Sequence, residues 1–218
     1  MEHTIKIFIL IHAFFGGVGL LSGLGSILVK KGSKPHKIMG KLFSLGMLTS
    51  SLISIPIACM PNRKNIFLLL IGLFTIYLVI SGNQILTFKS NKKNAAKPID
   101  KIISGSMFML STLMVLWGAL GLIKGHSGFF LFVFFGGFGL SLTIRDFIFY
   151  KHFKTQRMGW LSIHIGKMVG AFIASITAFV VAGLGIGSLI AWTLPSVLGT
   201  IYIVYWRQKM KSKLGYKL

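Results

Sequence analysis

Acidic residues are almost missing from this chain: Glu2, Asp100 and Asp146 are the only 3 in 218 residues, against 24 lysines and arginines. Cysteine is scarcer still. Cys59 stands alone, which excludes an internal disulfide and a cysteine metal cluster. No GxxxxGK[ST] loop, HExxH, GxSxG or CxxC is present, so phosphate-loop, zinc-protease, serine-hydrolase and dithiol chemistries lack their residues. Charged residues make up 12% of the chain, about half of what a soluble domain carries.

Apolar sequence is what fills the chain: 54% of residues are hydrophobic and the mean hydropathy is +0.78. Runs of 18 or so apolar residues recur from end to end, too long and too uniform for barrel strands, so each reads as a transmembrane helix. The 7 segments run roughly Thr4 to Val29, Lys37 to Met60, Asn65 to Phe88, Ile99 to Ile123, Ser127 to Ile144, Met158 to Leu184 and Ile186 to Trp206. Gaps of at most about ten residues cannot hold a soluble domain. The expectation is an all-α polytopic bundle, one integral membrane domain over 1–218, with any chemistry inside it or at its mouth. The first apolar run is longer than the roughly 7–15 residues of a cleavable signal, and Lys30 and Lys31 follow it directly.

The basic residues alternate in place. Lys30, Lys31, Lys34 and Lys37 follow the first segment; Lys89, Lys92, Lys93, Lys97 and Lys101 the third; Arg145, Lys151, Lys154 and Arg157 the fifth; Arg207, Lys209, Lys211, Lys213 and Lys217 the seventh. The other side carries Lys6, Arg63, Lys64 and Lys124. The positive-inside rule therefore puts the N-terminus outside and a basic tail, 207–218, in the cytoplasm. Trp160, Trp206 and Tyr150 fall at the cytoplasmic ends, where an aromatic belt belongs. A net charge of +21 spread over short loops predicts attraction to anionic lipid headgroups rather than to nucleic acid.

Three short matches recur in order. FFGGVGL at Phe14–Leu20 returns as FFGGFGL at Phe134–Leu140, KIMG at Lys37–Gly40 as QRMG at Gln156–Gly159, and TIYLV at Thr75–Val79 as TIYIV at Thr200–Val204. Offsets of about 120 residues imply a three-plus-one-plus-three plan of parallel repeats, about 4–88 and 127–206, joined by a connector helix at 99–123. Gly166, Gly170, Ala174, Ala178 and Ala182 form a ridge along the sixth segment, and Gly16, Gly19 and Gly23 share a face of the first. Such ridges let helices approach closely, within the chain or in a homo- or hetero-oligomer. Pro56 and Pro195 lie inside segments two and seven and are expected to kink them.

Ionisable groups in a membrane are costly and are the first functional candidates. His12 lies roughly 12 Å from the outer end of its segment, on the glycine face, as a hydrogen-bonded helix linker or as a ligand or proton relay. His164 and Lys167 share one face of the sixth segment, roughly 9 and 13 Å from its cytoplasmic end. A lysine that deep needs an anion or must snorkel. His36, Lys41, Arg145, Asp146 and Arg157 fall near the cytoplasmic mouth, and Asp146 is the natural partner for Lys41, Arg157 or Lys167. Asp100 reads as an N-cap carboxylate, Asn83 and Gln84 as mouth or interface residues, and His3, His126 and His152 as solvated. The seventh segment has no lysine, which removes a retinal Schiff base.

The stretches HAFFGGVGLLSG and KKGSKPHKIMGKLF resemble a bacterial family of predicted membrane proteins of unknown function. Its pattern of H-x3-G, then K-G-x3-H-[RK]-x2-G, then S-G-x-[RQ] is met by His12 and Gly16, by Lys31, Gly32, His36, Lys37 and Gly40, and by Ser81, Gly82 and Gln84. An Asp after the fifth helix and W-L-x2-H-x-x-[RK]-M-x-G-A correspond to Asp146 and to Trp160, Leu161, His164, Lys167, Met168, Gly170 and Ala171. Asn83-Gln84 departs from the aromatic and Arg more frequent in members. The resemblance implies a bacterial cytoplasmic membrane and includes the polar residues above in the pattern; it carries no activity.

Three functions compete. A facilitator for a small, anionic solute fits the repeat plan and a basic inner pocket of Lys167, Lys41 and Arg157; no coupling-ion carboxylate is present, which a facilitator does not need. A haem- or quinone-binding redox protein would use His12, His36 or His164 as axial ligands. An accessory subunit would use the Gly/Ala faces alone. A visible absorption spectrum of the purified protein tests the second: a Soret band lost in His12 or His164 variants establishes haem, and a colourless protein removes it. Transport of labelled organic anions into proteoliposomes, abolished in Lys167→Ala, then separates the first from the third.

Overall fold

The computed structural model describes residues 2–60, 65–89, 95–156 and 158–214. Arg63, Lys64, Lys92, Lys93, Arg157 and Lys217, which the charge pattern uses, lie outside the described residues. The described chain is all-helical: α1 Glu2–Leu28, α2 Lys34–Cys59, α3 Ile66–Gln84, α4 Pro98–Ile123, α5 Phe130–His152, α6 Gly159–Ala178 and α7 Leu189–Leu214. A 3-10 turn, Ile85–Lys89, extends α3, another, Ser127–Phe129, leads into α5, and a π turn, Phe179–Gly183, closes α6. All 7 helical segments are long and apolar enough to cross a membrane, the pattern of a multi-pass membrane protein.

Local sequence sets the helix ends. Ser33 caps α2 by accepting the His36 N–H, with Pro35 in the first turn where its missing N–H costs nothing. Lys31 donates its ammonium to the Ser26 and Ile27 carbonyls, which α1 leaves open. Gly125, at φ +81, ends α4 in a Schellman motif, with His126 N–H on Gly121 O and Gly125 N–H on Leu122 O.

Two helices outrun their apolar segments. α5 continues past Ile144 to His152, so Arg145 and Asp146 are helical rather than in a gap. α7 continues past Trp206 to Leu214, so the start of the basic tail is helical and Lys209 lies within α7, on the Tyr205 hydroxyl and over the Trp206 ring. Charges end an apolar run, but they end a helix only where backbone or solvent demands it. His3 and His152 likewise belong to helices, and His152 Nδ1–H donates to Ile148 O. The small-residue ridge of α6 stops at Ala178; Ala182 is exposed in the π turn.

The chain forms two compact units, one of Met1–Val79 with Met168–Ile201, the other of Ile80–Lys167 with Tyr202–Leu218. Their bounds fall inside α3, α6 and α7 rather than in the loops between segments.

In the first unit, α1 and α2 form an antiparallel hairpin whose middle is built from glycine. A Cβ on Gly46 would come within 2.8 Å of Gly19 N and Phe15 O, so the two backbones are nearly in contact there. Both ends of the hairpin are clasped by a histidine and a serine. His12 Nδ1–H donates to Ser50 O at 2.9 Å while Ser50 Oγ–H returns to His12 O at 3.0 Å. Near the turn, His36 Nδ1–H donates to Ser26 O at 3.1 Å. Around this hairpin, Gly23 faces Phe43 and Phe172, Phe67 meets Trp192 edge-on, and Leu78 and Val79 are fully buried.

In the second unit, α4 and α5 form the other hairpin. The buried face of α4 is Asp100, Ser104, Met107, Ser111, Met114, Gly118 and Gly121, stepping alternately by four and three residues. That is a heptad seam, the pattern of left-handed helix pairs. α5 answers with Gly136, Gly139, Thr143 and Asp146. At one end of the seam Gly121 admits the ring of Phe129, and Gly118 admits Val133; at the other end the seam is polar. Gly16 and Gly19 of the Phe14–Leu20 copy pack on α2, whereas Gly136 and Gly139 of the Phe134–Leu140 copy pack on α4.

Gly46→Ala should lower thermal stability by about 1–3 kcal/mol, because the new methyl meets backbone rather than a movable side chain. Gly40→Ala, with nothing within 4 Å, should be neutral or stabilising. Thermal unfolding of the two variants in detergent checks the contrast.

Candidate functional site

The polar end of the α4–α5 seam holds a buried ion pair. Lys167 on α6 donates to Asp146 Oδ2 on α5 at 2.6 Å, and the two side chains are 1% and 0% exposed. Removing both ions from water costs several kcal/mol each, offset only by close contact and further hydrogen bonds. Ser104 of α4 supplies one of those, Oγ–H to Asp146 Oδ2 at 2.7 Å. The lysine therefore does not snorkel. Its anion is a carboxylate of the same chain.

The network continues through α4 and α5. Ser104 Oγ lies 3.0 Å from Tyr150 Oη, and Tyr150 O–H donates to Asp100 O at 3.3 Å. Tyr150 is thus a half-buried member of the network. Asp100 is 1% exposed and sits in the first turn of α4, reaching back to cap Lys97 N–H at 2.8 Å; the N-cap position itself is Lys97. Gln84 Nε2–H donates to the other oxygen of Asp100 at 3.0 Å, which joins the end of α3 to the start of α4. Asn83 beside it is exposed. Ile85, Phe88 and Phe149 pack beneath, with Phe88 stacked on Tyr150 at 5.7 Å.

One turn from Lys167, His164 Nδ1–H donates to Gly82 O at 2.7 Å, fixing α6 to the end of α3. A carbonyl only accepts, so Nδ1 carries a proton in this bond. A neighbouring face of α6 meets α7 at Arg207. Arg207 Nη2 donates to Ser162 O at 3.2 Å, and a Cβ on Gly166 would lie 2.7 Å from the same nitrogen. Gly166, part of the small-residue ridge, is there to let a guanidinium lie across α6. Arg207 Nε is buried and makes no hydrogen bond among the described residues.

These elements enclose a cavity of ≈ 390 Å³ within the second unit. Arg145, Lys167 and Arg207 line it beside a single carboxylate, Asp146. Leu142, Ile148, Phe149 and Ile163 give it an apolar wall, and Gln156 and Gly159, at the α5–α6 connection, line it too.

Of the residues singled out from the sequence, Asp146 and Lys167 meet and both line this cavity. His164 stands next to them on α6 but is not among the lining residues. His12 and His36 belong to the other unit as the clasps of its hairpin, and Lys41 is exposed on α2. Arg157 lies outside the described residues. Three contributors were not legible as such. Ser104 and Tyr150 look like ordinary members of apolar runs, though small residues spaced by seven in α4 (Ser104, Ser111, Gly118) mark a contact seam. Arg207 looks like one more base of the tail. No group of three or more metal-ligating side chains occurs among the described residues.

Ser104→Ala removes a donor to a buried carboxylate and should cost about 1–3 kcal/mol in thermal unfolding. Ser106→Ala, exposed on the same helix, should cost under about 0.5 kcal/mol. Compared with protein-family models, curated proteins and solved structures, the chain matches none.

Proposed function

We propose that this chain is a facilitator or permease of the bacterial cytoplasmic membrane that passes a small anionic solute through the cavity beside Asp146 and Lys167. The observation that carries the reading is the charge inside that cavity. Asp146 and Lys167 cancel at 2.6 Å, leaving the guanidinium groups of Arg145 and Arg207 on the same walls without a counter-charge among the described residues. A cleft with one sign of charge and low-dielectric walls concentrates ions of the other sign. A neutral solute gains nothing from it, and a cation is repelled.

Orientation follows from the loop charges: with the N-terminus outside, the α5–α6 connection and the end of α7 are cytoplasmic, and the cavity lies at that end of the helices. The basic residues around that end also suit contact with anionic lipid headgroups. The three-plus-one-plus-three repeat rests on the sequence matches, and the two FFGG copies use different neighbours, α2 and α4. No histidine lines the cavity, so haem ligation has no support at this site. The Gly/Ala faces that would serve an accessory subunit face this chain's own residues at Gly19, Gly46 and Gly166.

The test is uptake of labelled small organic anions into proteoliposomes. Wild-type protein should exceed empty liposomes, Arg207→Ala should lose at least about tenfold, the equivalent of 1.4 kcal/mol, and Lys124→Ala on the opposite side should transport normally. Uptake no faster than through empty liposomes would sink the reading, as would full activity in Arg207→Ala.

A further inference from the structure

The cavity has two features beyond its sign of charge: the number of cations without a counter-charge among the described residues, and an apolar wall facing them. With Lys167 held by Asp146, two guanidinium groups remain. Arg207 is half-buried and Arg145, on the same lining, is exposed, and a monoanion balances the charge of only one of them. A phosphate monoester carries a charge of about −1.5 to −2 at neutral pH and three acceptor oxygens, which matches two guanidinium groups. Guanidinium is also the side chain whose planar donors fit phosphate oxygens best.

Arg207 is built for such a contact. Its Nη2 is anchored on Ser162 O, Gly166 clears the space beneath it, and its buried Nε–H is left without a hydrogen bond among the described residues. A buried donor left unmade costs free energy, and a bound oxygen would satisfy it. The rest of the lining is the wrong chemistry for inorganic phosphate alone. Leu142, Ile148 and Ile163 offer apolar surface, and Ile148 is 51% exposed, so that wall continues onto the outer face of α5.

We infer that the ligand of this cavity is a phosphate monoester on an apolar group, its head between Arg207 and Arg145 and its apolar part against Leu142, Ile148 and Ile163. This rests on the anion reading above and narrows it. The same chemistry is offered by a soluble ester and by the headgroup of phosphatidic acid, whose acyl chains could follow the wall past Ile148.

Calorimetric titration of the full chain in detergent tests it with three probes: phenyl phosphate, benzoate and inorganic phosphate. Phenyl phosphate should bind at least about tenfold more tightly than either of the others. Arg207→Lys keeps the charge but loses the planar donors, and should weaken phenyl phosphate at least about tenfold. Arg145→Gln should erase the preference for phenyl phosphate over benzoate. Benzoate binding as tightly as phenyl phosphate overturns the inference while leaving an anion site. Inorganic phosphate binding as tightly overturns the role of the apolar wall, and with it the ligand class. Binding of none of the three overturns both this inference and the anion reading. The wild-type comparison needs no variant to fold. Repeating the phenyl phosphate titration in nanodiscs identifies the source of the ester: about tenfold weaker binding when phosphatidic acid is added to phosphatidylcholine points to the lipid headgroup, and unchanged binding points to a soluble ester.

Discussion

A lysine and an aspartate, both out of reach of water, sit 2.6 Å apart on α6 and α5. Neither could be where it is without the other. An isolated charge at that depth would shift its equilibrium to the neutral form or pull the helix toward solvent, because the cost of desolvation is several kcal/mol per ion. The pair removes that cost, and in doing so fixes the rotation of α5 and α6 in their unit. With Lys167 turned to α5, the neighbouring face of α6 presents Gly166 to Arg207. With Asp146 turned inward, Ser104 and Tyr150 are drawn into one polar chain reaching Asp100. The cavity is the space that α5, α6 and α7 leave beside the pair.

The two hairpins solve the same problem by different means. In lipid there is little hydrophobic force between helices, so close packing and hydrogen bonds must hold them. The α1–α2 hairpin uses glycine contact at its middle and a His–Ser clasp at each end. The α4–α5 hairpin uses a continuous heptad seam, small at one end and ionic at the other. Two of the histidines with the look of ligands from the sequence are therefore fasteners in the structure, and their serine partners sit on the neighbouring helix at positions only an antiparallel register brings together.

Much of the architecture was legible because the bilayer allows few solutions. Long apolar runs give helices of the right number, and the scarcity of acids marks Asp146 as an ion-pair partner, but for Lys41, Arg157 or Lys167 alike; the choice of Lys167 comes from the fold. The helix ends were less legible. Hydropathy reads Arg145 and Asp146 as the close of a segment, but a carboxylate with an internal partner does not stop a helix, and α5 runs on to His152. Arg207 was hidden for the converse reason. It follows the apolar run like the other bases of the tail, and only the folded position of α7 against Gly166 shows that it turns inward. Ser104 and Tyr150 carry no chemical signal of their own; their role is created by the carboxylate they meet.

A double-mutant cycle on the ion pair reaches furthest into this account. Asp146→Leu and Lys167→Met should each cost about 3–5 kcal/mol in thermal unfolding, since each strands a buried charge. The double variant should recover most of that loss, because both charges leave together and apolar groups of similar size fill the space. If the double variant instead loses the sum of the two singles, the residues are not coupled, and the pair is not what holds this part of the molecule together.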